Sequence, residues 1–387
     1  MRTQTHSRLR SFGRSGSSIF ALVFSLLAPG EGSAQQPTSP PAAGETTSIE
    51  RRTTEPSLER YRSREERLRA QPLDWNQTIG RPVEVPPAAA TADPAREQPG
   101  TTPEGAPDPD ADERARREFP SEWRTEPQPD RRGGLNFPGI TLPEAEIHLA
   151  GTQDTFTQFC ENCPDVRTNR TPPSRASGKL FVNGGYCSAS VISPNNIIVT
   201  AAHCCWNRST NNWIGGWTFA PAYHNGNTPY GLFPWTTATI LTAWQTSGGR
   251  QNDVCLINLG TNSVGGAVTS YTGWLGRSWN FASVQVHNAL GYPGNLGGGQ
   301  TLQLCNSESF SPTGAGCGGT AVLNTGCSMT FGSSGGPWIR AYRTSSWVNS
   351  VVSGYDNATC TGTFGSTFNG PRFTSSNILT LCNAAGC

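Results

Sequence analysis

The stretch CSMTFGSSGGPW, residues 327–338, holds three serines and three glycines in twelve positions. A serine hydroxyl is a weak nucleophile at neutral pH and attacks a carbonyl only when a base of pKa about 7 takes its proton. Upstream, VTAAHCC at 199–205 ends a β-prone run with two small alanines and His203. A histidine acting as that base needs a carboxylate to fix its tautomer and to stabilise the imidazolium. Between residues 204 and 333 the chain holds only two acids, Asp253 and Glu308. Asp253 opens the apolar run NDVCLINL, where a carboxylate is costly unless paired, and a histidine N–H is a suitable partner. The glycines around the serines let backbone approach a substrate carbonyl, and two backbone N–H groups facing the developing oxyanion complete what acyl transfer requires. A histidine beside two cysteines reads as structural on its own. The order His, Asp, Ser gives the three groups a shared chemistry, and the residues alone leave open which serine attacks.

Those motifs carry a resemblance to the trypsin/chymotrypsin-like serine peptidases over about residues 178–387. TAAHC, 200–204, resembles that family's histidine motif, NDVCLINL its aspartate strand and GSSGGP its GDSGGP, at spacings of 50 and 81 residues. The stretches GKLFVNGGYCSASVI, GGWTFAPAYHNGNTPYG and LGYPGN are similar to secreted microbial members, the V8-like branch included. The resemblance implies Ser334, directly before Gly335-Gly336-Pro337, as nucleophile, with His203 and Asp253 completing the triad that is the family's own template. It implies Gly332 and Ser334 as oxyanion-hole donors and Ser328, six residues before the nucleophile, at the specificity pocket. Ser353, Gly354 and Tyr355 correspond to the strand that pairs with substrate backbone. A Cys187–Cys204 disulfide stapling the histidine loop is also implied, with Cys205 competing for Cys187. The implied partners are proteins and peptides cut by a monomeric endopeptidase without cofactor or metal.

Two departures stand out. Ser333 replaces the family's aspartate, which in trypsin-like members binds the new N-terminal ammonium after activation. Ser328 replaces the pocket aspartate that selects Arg or Lys, and Val352 stands where glutamate-specific members place a histidine. Arg372, in NGPRF, is the cation whose position near the pocket strand would favour an acidic side chain, although a solvent-facing role is the simpler expectation.

The elements that must position these residues read as strands. GKLFVNGGYCSASVIS predicts a hairpin around Asn183-Gly184-Gly185, NNIIVTAAHC a third strand, and further strands fall at 235–243, 253–259, 283–291, 300–305, 336–343 and 347–354. Turn residues separate them and no helix is required except a terminal one near 375–382. This is an all-β pattern, and with the resemblance it predicts a chymotrypsin-like double six-stranded β-barrel.

What precedes the barrels differs in composition. Arg2, Arg8, Arg10 and Arg14 lead into the apolar run IFALVFSLLA at 19–28, followed by small residues at Gly32 and Ala34, which predicts a secretory signal peptide over 1–34. Residues 35–150 hold 15 Arg and 21 Asp+Glu without a cysteine, whereas 151–387 hold 10 Lys+Arg, 6 Asp+Glu and all 12 Cys. The first region cannot bury enough apolar surface of its own and is expected to be a disordered pro-segment, with SLERYRSREERLRA, 57–70, as a solvated helix. The dibasic pairs Arg116–Arg117 and Arg131–Arg132 suit cleavage, and 151–387 is the expected peptidase domain. A formal net charge of +1 gives no electrostatic case for nucleic acid or a membrane surface. Export makes disulfides the expected state of the cysteines, over a zinc site combining CENC at 160–163 with Cys382 and Cys387. Three rival readings make different demands on the sequence. A lipase or esterase would show a strand–helix elbow in an α/β pattern. An inactive protease-like binding domain would lack a triad member. An adhesion module would leave the order of the motifs unexplained.

Overall fold

The computed structural model describes residues 44–51, 61–74, 98–123, 156–161, 170–183, 185–312, 319–355 and 367–387. The amino-terminal part contributes β1 (Thr46–Glu50), α1 (Arg64–Arg69), β2 (Gly100–Thr102), α2 (Ala111–Glu118) and β3 (Thr157–Cys160). Next come β4 (Ser177–Val182), β5 (Gly185–Ser193), β6 (Ile197–Thr200), the small hairpin β7 (Trp206–Asn207) and β8 (Asn212–Trp213), then β9 (Thr218–Pro221), β10 (Phe233–Leu241), α3 (Thr242–Ser247) and β11 (Cys255–Leu259). The remainder is α4 (Val268–Thr272), β12 (Gly276–Trp279), β13 (Gln285–Gly291), β14 (Gln303–Phe310), β15 (Val322–Gly326), β16 (Pro337–Arg340), β17 (Trp347–Val351), β18 (Gly354–Tyr355), β19 (Thr367–Pro371) and α5 (Thr380–Ala385).

Two closed rings of strands result. In the first the pairing runs β10–β11–β6–β5–β4–β9, and β9 pairs back with β10. Closure removes exposed edges, and both faces of β4 and β5 are buried along their whole length. In the second ring the order is β18–β19–β15–β14–β13–β16–β17. β17 continues through the buried Val352 and Ser353 into β18, so one bent strand returns the ring to its start. The double six-stranded arrangement is therefore present, with β1, β2, β3 and β12 added outside it. The predicted hairpin is in register, Val182 opposite Gly185. The strand predicted over 235–243 stops at Leu241, where α3 begins; α3 is closed by Gly248 at φ 65°, a left-handed cap that glycine adopts without strain. The strand predicted at 300–305 lies instead at Gln303–Phe310. The short strands β9, β12, β15 and β19 and the helices α3 and α4 were not predicted, because elements of four to six residues are too short to display a period. The terminal helix is a π-helical turn, Ser375–Leu379, leading into α5.

The amino-terminal region corrects the sequence expectation. The signal segment and Arg131–Arg132 lie outside the described residues, but the described parts of 35–150 are ordered rather than disordered. β1 pairs with β10 from Thr46↔Leu241 to Glu50↔Thr237, and β2 pairs with β12. Tyr61 is buried, stacks on Phe181 at 4.5 Å and donates its hydroxyl to the Val182 carbonyl at 2.8 Å. α1, expected as a solvated helix, buries Arg67, whose guanidinium bonds both oxygens of Glu122 at 2.9 and 3.0 Å and the Gly226 carbonyl at 2.7 Å. Composition misled because it asks whether a segment can build its own core, whereas this one borrows the barrel's. Its charges are tolerated because they are paired, as buried charges must be: Arg175 with Asp112 at 2.9 Å, and the Tyr271 hydroxyl on Glu118 at 2.5 Å.

Candidate active site

β6 lies between β5 and β11, and at its end the chain turns at once, Cys204 N–H to the Ala201 carbonyl at 3.1 Å and Cys205 N–H to Ala202 at 2.9 Å. That turn carries His203, fully buried. Because Thr200 pairs with Cys255, Asp253, two residues before Cys255, arrives beside the imidazole. Its Oδ1 accepts the His203 backbone N–H at 2.8 Å and its Oδ2 lies 2.8 Å from His203 Nδ1. The Ser353 hydroxyl donates to Oδ2 at 2.5 Å. A carboxylate is an acceptor only, so the Nδ1 contact assigns the proton to Nδ1 and leaves Nε2 the basic nitrogen. Three donors on one buried carboxylate offset its desolvation.

The turn is held from both sides. Cys187–Cys204 ties it to β5 and Cys205–Cys255 ties it to β11, which settles the competition for Cys187. Trp217 Nε1–H donates to the Cys204 carbonyl at 2.9 Å, and Trp217 itself packs edge-on against Trp235 at 4.6 Å. Cys187, His203 and Cys204 bring ligand-type atoms within 4.8 Å of one another, but both sulfurs are spent in the disulfide. Cys382 and Cys387, the alternative zinc ligands, bond each other, and Cys160 is disulfide-bonded.

The serine loop lies against the same turn. Ser188 N–H on β5 donates to the Ser334 carbonyl at 2.7 Å, and Gly335 N–H donates to Val352 at 2.8 Å. Gly335, at φ 78°, could not carry a side chain: a Cβ there would strike Thr200 Oγ1 and the Ala201 nitrogen. The loop is thus packed within three residues of His203. Gly332, at φ 93°, lies against the Tyr186 ring and the Tyr292 carbonyl. Of the two adjacent serines, Ser333 is fully buried and its hydroxyl donates to the Thr330 carbonyl at 2.7 Å. The Ser334 hydroxyl makes no hydrogen bond among the described residues, nor do the N–H groups of Gly332 and Ser334.

Other predicted site residues take varied places. Ser328 hydrogen-bonds Gln158 of β3 through its hydroxyl at 2.5 Å and its N–H at 3.3 Å. Gln158 was not singled out from the sequence, since nothing in its local pattern pairs it with a residue 170 positions away. Ser353 contributes its hydroxyl to Asp253, a role also missed; its N–H donates to the Asn369 carbonyl at 2.9 Å. Gly354 and Tyr355 form β18 and pair with Asn369 and Phe368. Arg372 is buried and its Nε donates to the Phe281 carbonyl at 2.8 Å. Glu308 is exposed on β14, which leaves Asp253 as the acid at His203. His287 is buried with Nε2 3.1 Å from Asn349 Oδ1, and His224 Nε2 accepts from the Asn225 amide at 2.9 Å.

Behind Gly332 sits a buried lysine. Lys179 Nζ donates to the Gly299 carbonyl at 3.0 Å and lies 3.7 Å from the centre of the Tyr186 ring. Burial lowers its pKa from 10.5 to about 7. Between those values the unfolded chain holds a proton that the folded chain has released, so this group makes stability rise with pH across that window and weakens the fold below it. Lys179→Met is therefore expected to raise the unfolding free energy at pH 6 by about 2–4 kcal/mol, with the gain shrinking toward pH 10.5; urea melts at pH 6 and pH 10 measure it. An equal gain at both pH values would contradict the burial argument.

The family model described as Trypsin matches residues 166–367. A glutamyl endopeptidase from Bacillus licheniformis is 29% identical over 149 residues, 38% of this chain and 45% of that protein, so the chain spans less than half the length of that relative. Among solved structures, the protease Anisep from Arthrobacter nicotinovorans is 29% identical over 55% of this chain and 95% of its own, at a TM-score of 0.49. A thermostable serine protease from an extremophilic microorganism is 26% identical over 55% and 98% of the two chains, also at 0.49.

Proposed function

Given that the chain belongs to the trypsin family, we propose that it is a secreted serine endopeptidase that cuts protein substrates through an acyl-enzyme. The observation that carries this reading is the buried Asp253 carboxylate bonded to both the backbone N–H and Nδ1 of His203, on the turn that packs against the Ser334 loop. In the proposed mechanism Ser334 Oγ attacks the scissile carbonyl carbon while His203 Nε2 takes its proton. The oxyanion receives the N–H groups of Gly332 and Ser334. As the tetrahedral intermediate collapses, the C–N bond breaks and His203 returns the proton to the leaving amine. Water, deprotonated by the same nitrogen, then hydrolyses the ester on Ser334. Asp253 stays ionised throughout and stabilises the imidazolium, with the Ser353 hydroxyl holding its second oxygen.

Ser328 offers no charge to a basic side chain at its position in the pocket. Glutamyl selectivity, which the Bacillus relative has by name, is not carried over, since Val352 replaces the histidine and Arg372 spends its Nε on Phe281. Activation by a buried new N-terminus has no counterpart at Ser333, whose side chain is neutral and already bonded to Thr330; an unpartnered buried ammonium would cost several kcal/mol. Export by the segment 1–34 and cutting near Arg131–Arg132 or closer to the barrel complete the proposal, and N-terminal sequencing of the secreted chains locates the cuts. The reaction itself is tested with a nitrophenyl ester. An acyl-enzyme releases a burst of about one equivalent of nitrophenol per chain before the steady rate, and hydrolysis without a burst contradicts the covalent step.

A further inference from the structure

α1 delivers an extended stretch of the chain to the edge of the proposed cleft. Tyr186 N–H donates to the Gln71 carbonyl at 3.0 Å and Leu73 N–H donates to the Tyr186 carbonyl at 2.9 Å, a parallel bridge centred on Pro72. Both main-chain groups of Tyr186 are thereby occupied. Two residues along β5, Ser188 N–H bonds the Ser334 carbonyl; a strand rises about 3.3 Å per residue, so the bridge lies about 7 Å along it from the Ser334 contact. The segment also reaches the opposite wall. The Pro72 ring packs at Gly294, whose N–H donates to the Phe331 carbonyl at 2.7 Å, immediately before Gly332. Gly185 has no room for a side chain because a Cβ would lie 2.8 Å from the Gln71 oxygen.

The contact is anchored from outside the cleft. Tyr61 and Arg67 are buried; the Tyr223 hydroxyl donates to the Arg67 carbonyl at 3.3 Å, Gln300 Nε2 to Leu68 at 3.3 Å, and Arg64 to the Asn225 carbonyl at 2.9 Å. Under the peptidase reading, on which this inference rests, the acyl part of a substrate lies along Ser353–Gly354 in the second ring. The leaving part then runs off on the other side of Ser334, across β5. We propose that the chain's own Gln71–Leu73 sits on the edge at Gly185–Tyr186 as an internal ligand, competing with substrates that continue past the scissile bond. The segment acts through main-chain pairing, the recognition mode of an added strand. It leaves the triad itself untouched, so it discriminates between substrates rather than silencing the chemistry.

The test compares two substrates on the full-length chain: an ester with nothing but a chromophore after the scissile bond, and a peptide amide that continues past it. Leu73→Pro removes the N–H that bonds Tyr186, and Arg67→Ala loosens the segment from outside the cleft should the first variant fold poorly. Each is expected to raise kcat/KM on the extended peptide about tenfold, through KM, which corresponds to the loss of one to two hydrogen bonds of docking, and to leave ester turnover unchanged. Unchanged extended-peptide turnover in both variants overturns the inference while leaving the peptidase reading standing, as does an equal rise on both substrates. If neither substrate is turned over by any of the chains, the peptidase reading falls and this inference with it.

Discussion

Ser334→Ala is expected to abolish casein hydrolysis, and Ser333→Ala to leave it largely intact. The two serines are neighbours in sequence but not in circumstance. Ser333 is fully buried and its hydroxyl already donates to the Thr330 carbonyl, so its loss removes one local hydrogen bond, about 1 kcal/mol of stability. The Ser334 hydroxyl is uncommitted among the described residues, its own carbonyl is fixed by Ser188, and it follows Gly332 in a loop that cannot accept a side chain at Gly332 or Gly335. Removing a nucleophile of this kind costs on the order of 10⁶ in kcat. A residual rate of about 10³–10⁴ over water survives from the oxyanion hole and binding alone. Steady-state kinetics on both variants, with circular dichroism to establish that each is folded, reads the outcome. If Ser333→Ala were the dead variant and Ser334→Ala the active one, the register of the motif would be wrong by one residue.

Asp253→Asn is expected to lower kcat by about 10⁴ with the fold retained. The carboxylate receives three donors: the His203 N–H, Nδ1–H and the Ser353 hydroxyl. An amide offers one oxygen and one NH₂, so it cannot serve all three. If its NH₂ faces the ring, His203 must present Nδ1 as acceptor, which places the proton on Nε2 and removes the base from the serine side. The displaced donor costs about 1–3 kcal/mol of stability, and the rate deficit eases at high pH. A pH–rate profile of the variant, together with a denaturant melt, separates the two effects. Near-normal activity would take Asp253 out of the mechanism, with no replacement available from the exposed Glu308.

What was legible in the sequence was local. TAAHC, NDVCLINL and GSSGGP are contiguous signals, and each turns out to sit at the end of a buried strand or in a glycine-constrained loop that the fold then assembles. The Cys187–Cys204 bridge was implied by resemblance, but the Cys205–Cys255 bridge was not, because two cysteines 50 residues apart declare no pairing until β6 and β11 are known to be neighbours. The same holds for the Ser353 hydroxyl on Asp253 and for Gln158 on Ser328, contacts across 100 and 170 residues. The largest misreading was the amino-terminal region. Its arginines and acids suggested solvent, yet Arg67 is buried against Glu122 and Tyr61 fills a place in the barrel core. Composition measures what a segment brings to a core of its own, not the surface another domain offers it.

In the proposed mechanism Ser334, activated by His203 and Asp253, is the nucleophile of a peptidase. Reaction of the full-length protein with a serine-directed organophosphonate, followed by digestion and mass mapping of the adduct, tests it most directly. The phosphonate is expected on Ser334, with loss of casein hydrolysis in step with labelling and strongly slowed labelling in Asp253→Asn. Modification of Ser333 or Ser328 instead, or casein hydrolysis that proceeds unaffected with Ser334 unlabelled, would contradict it.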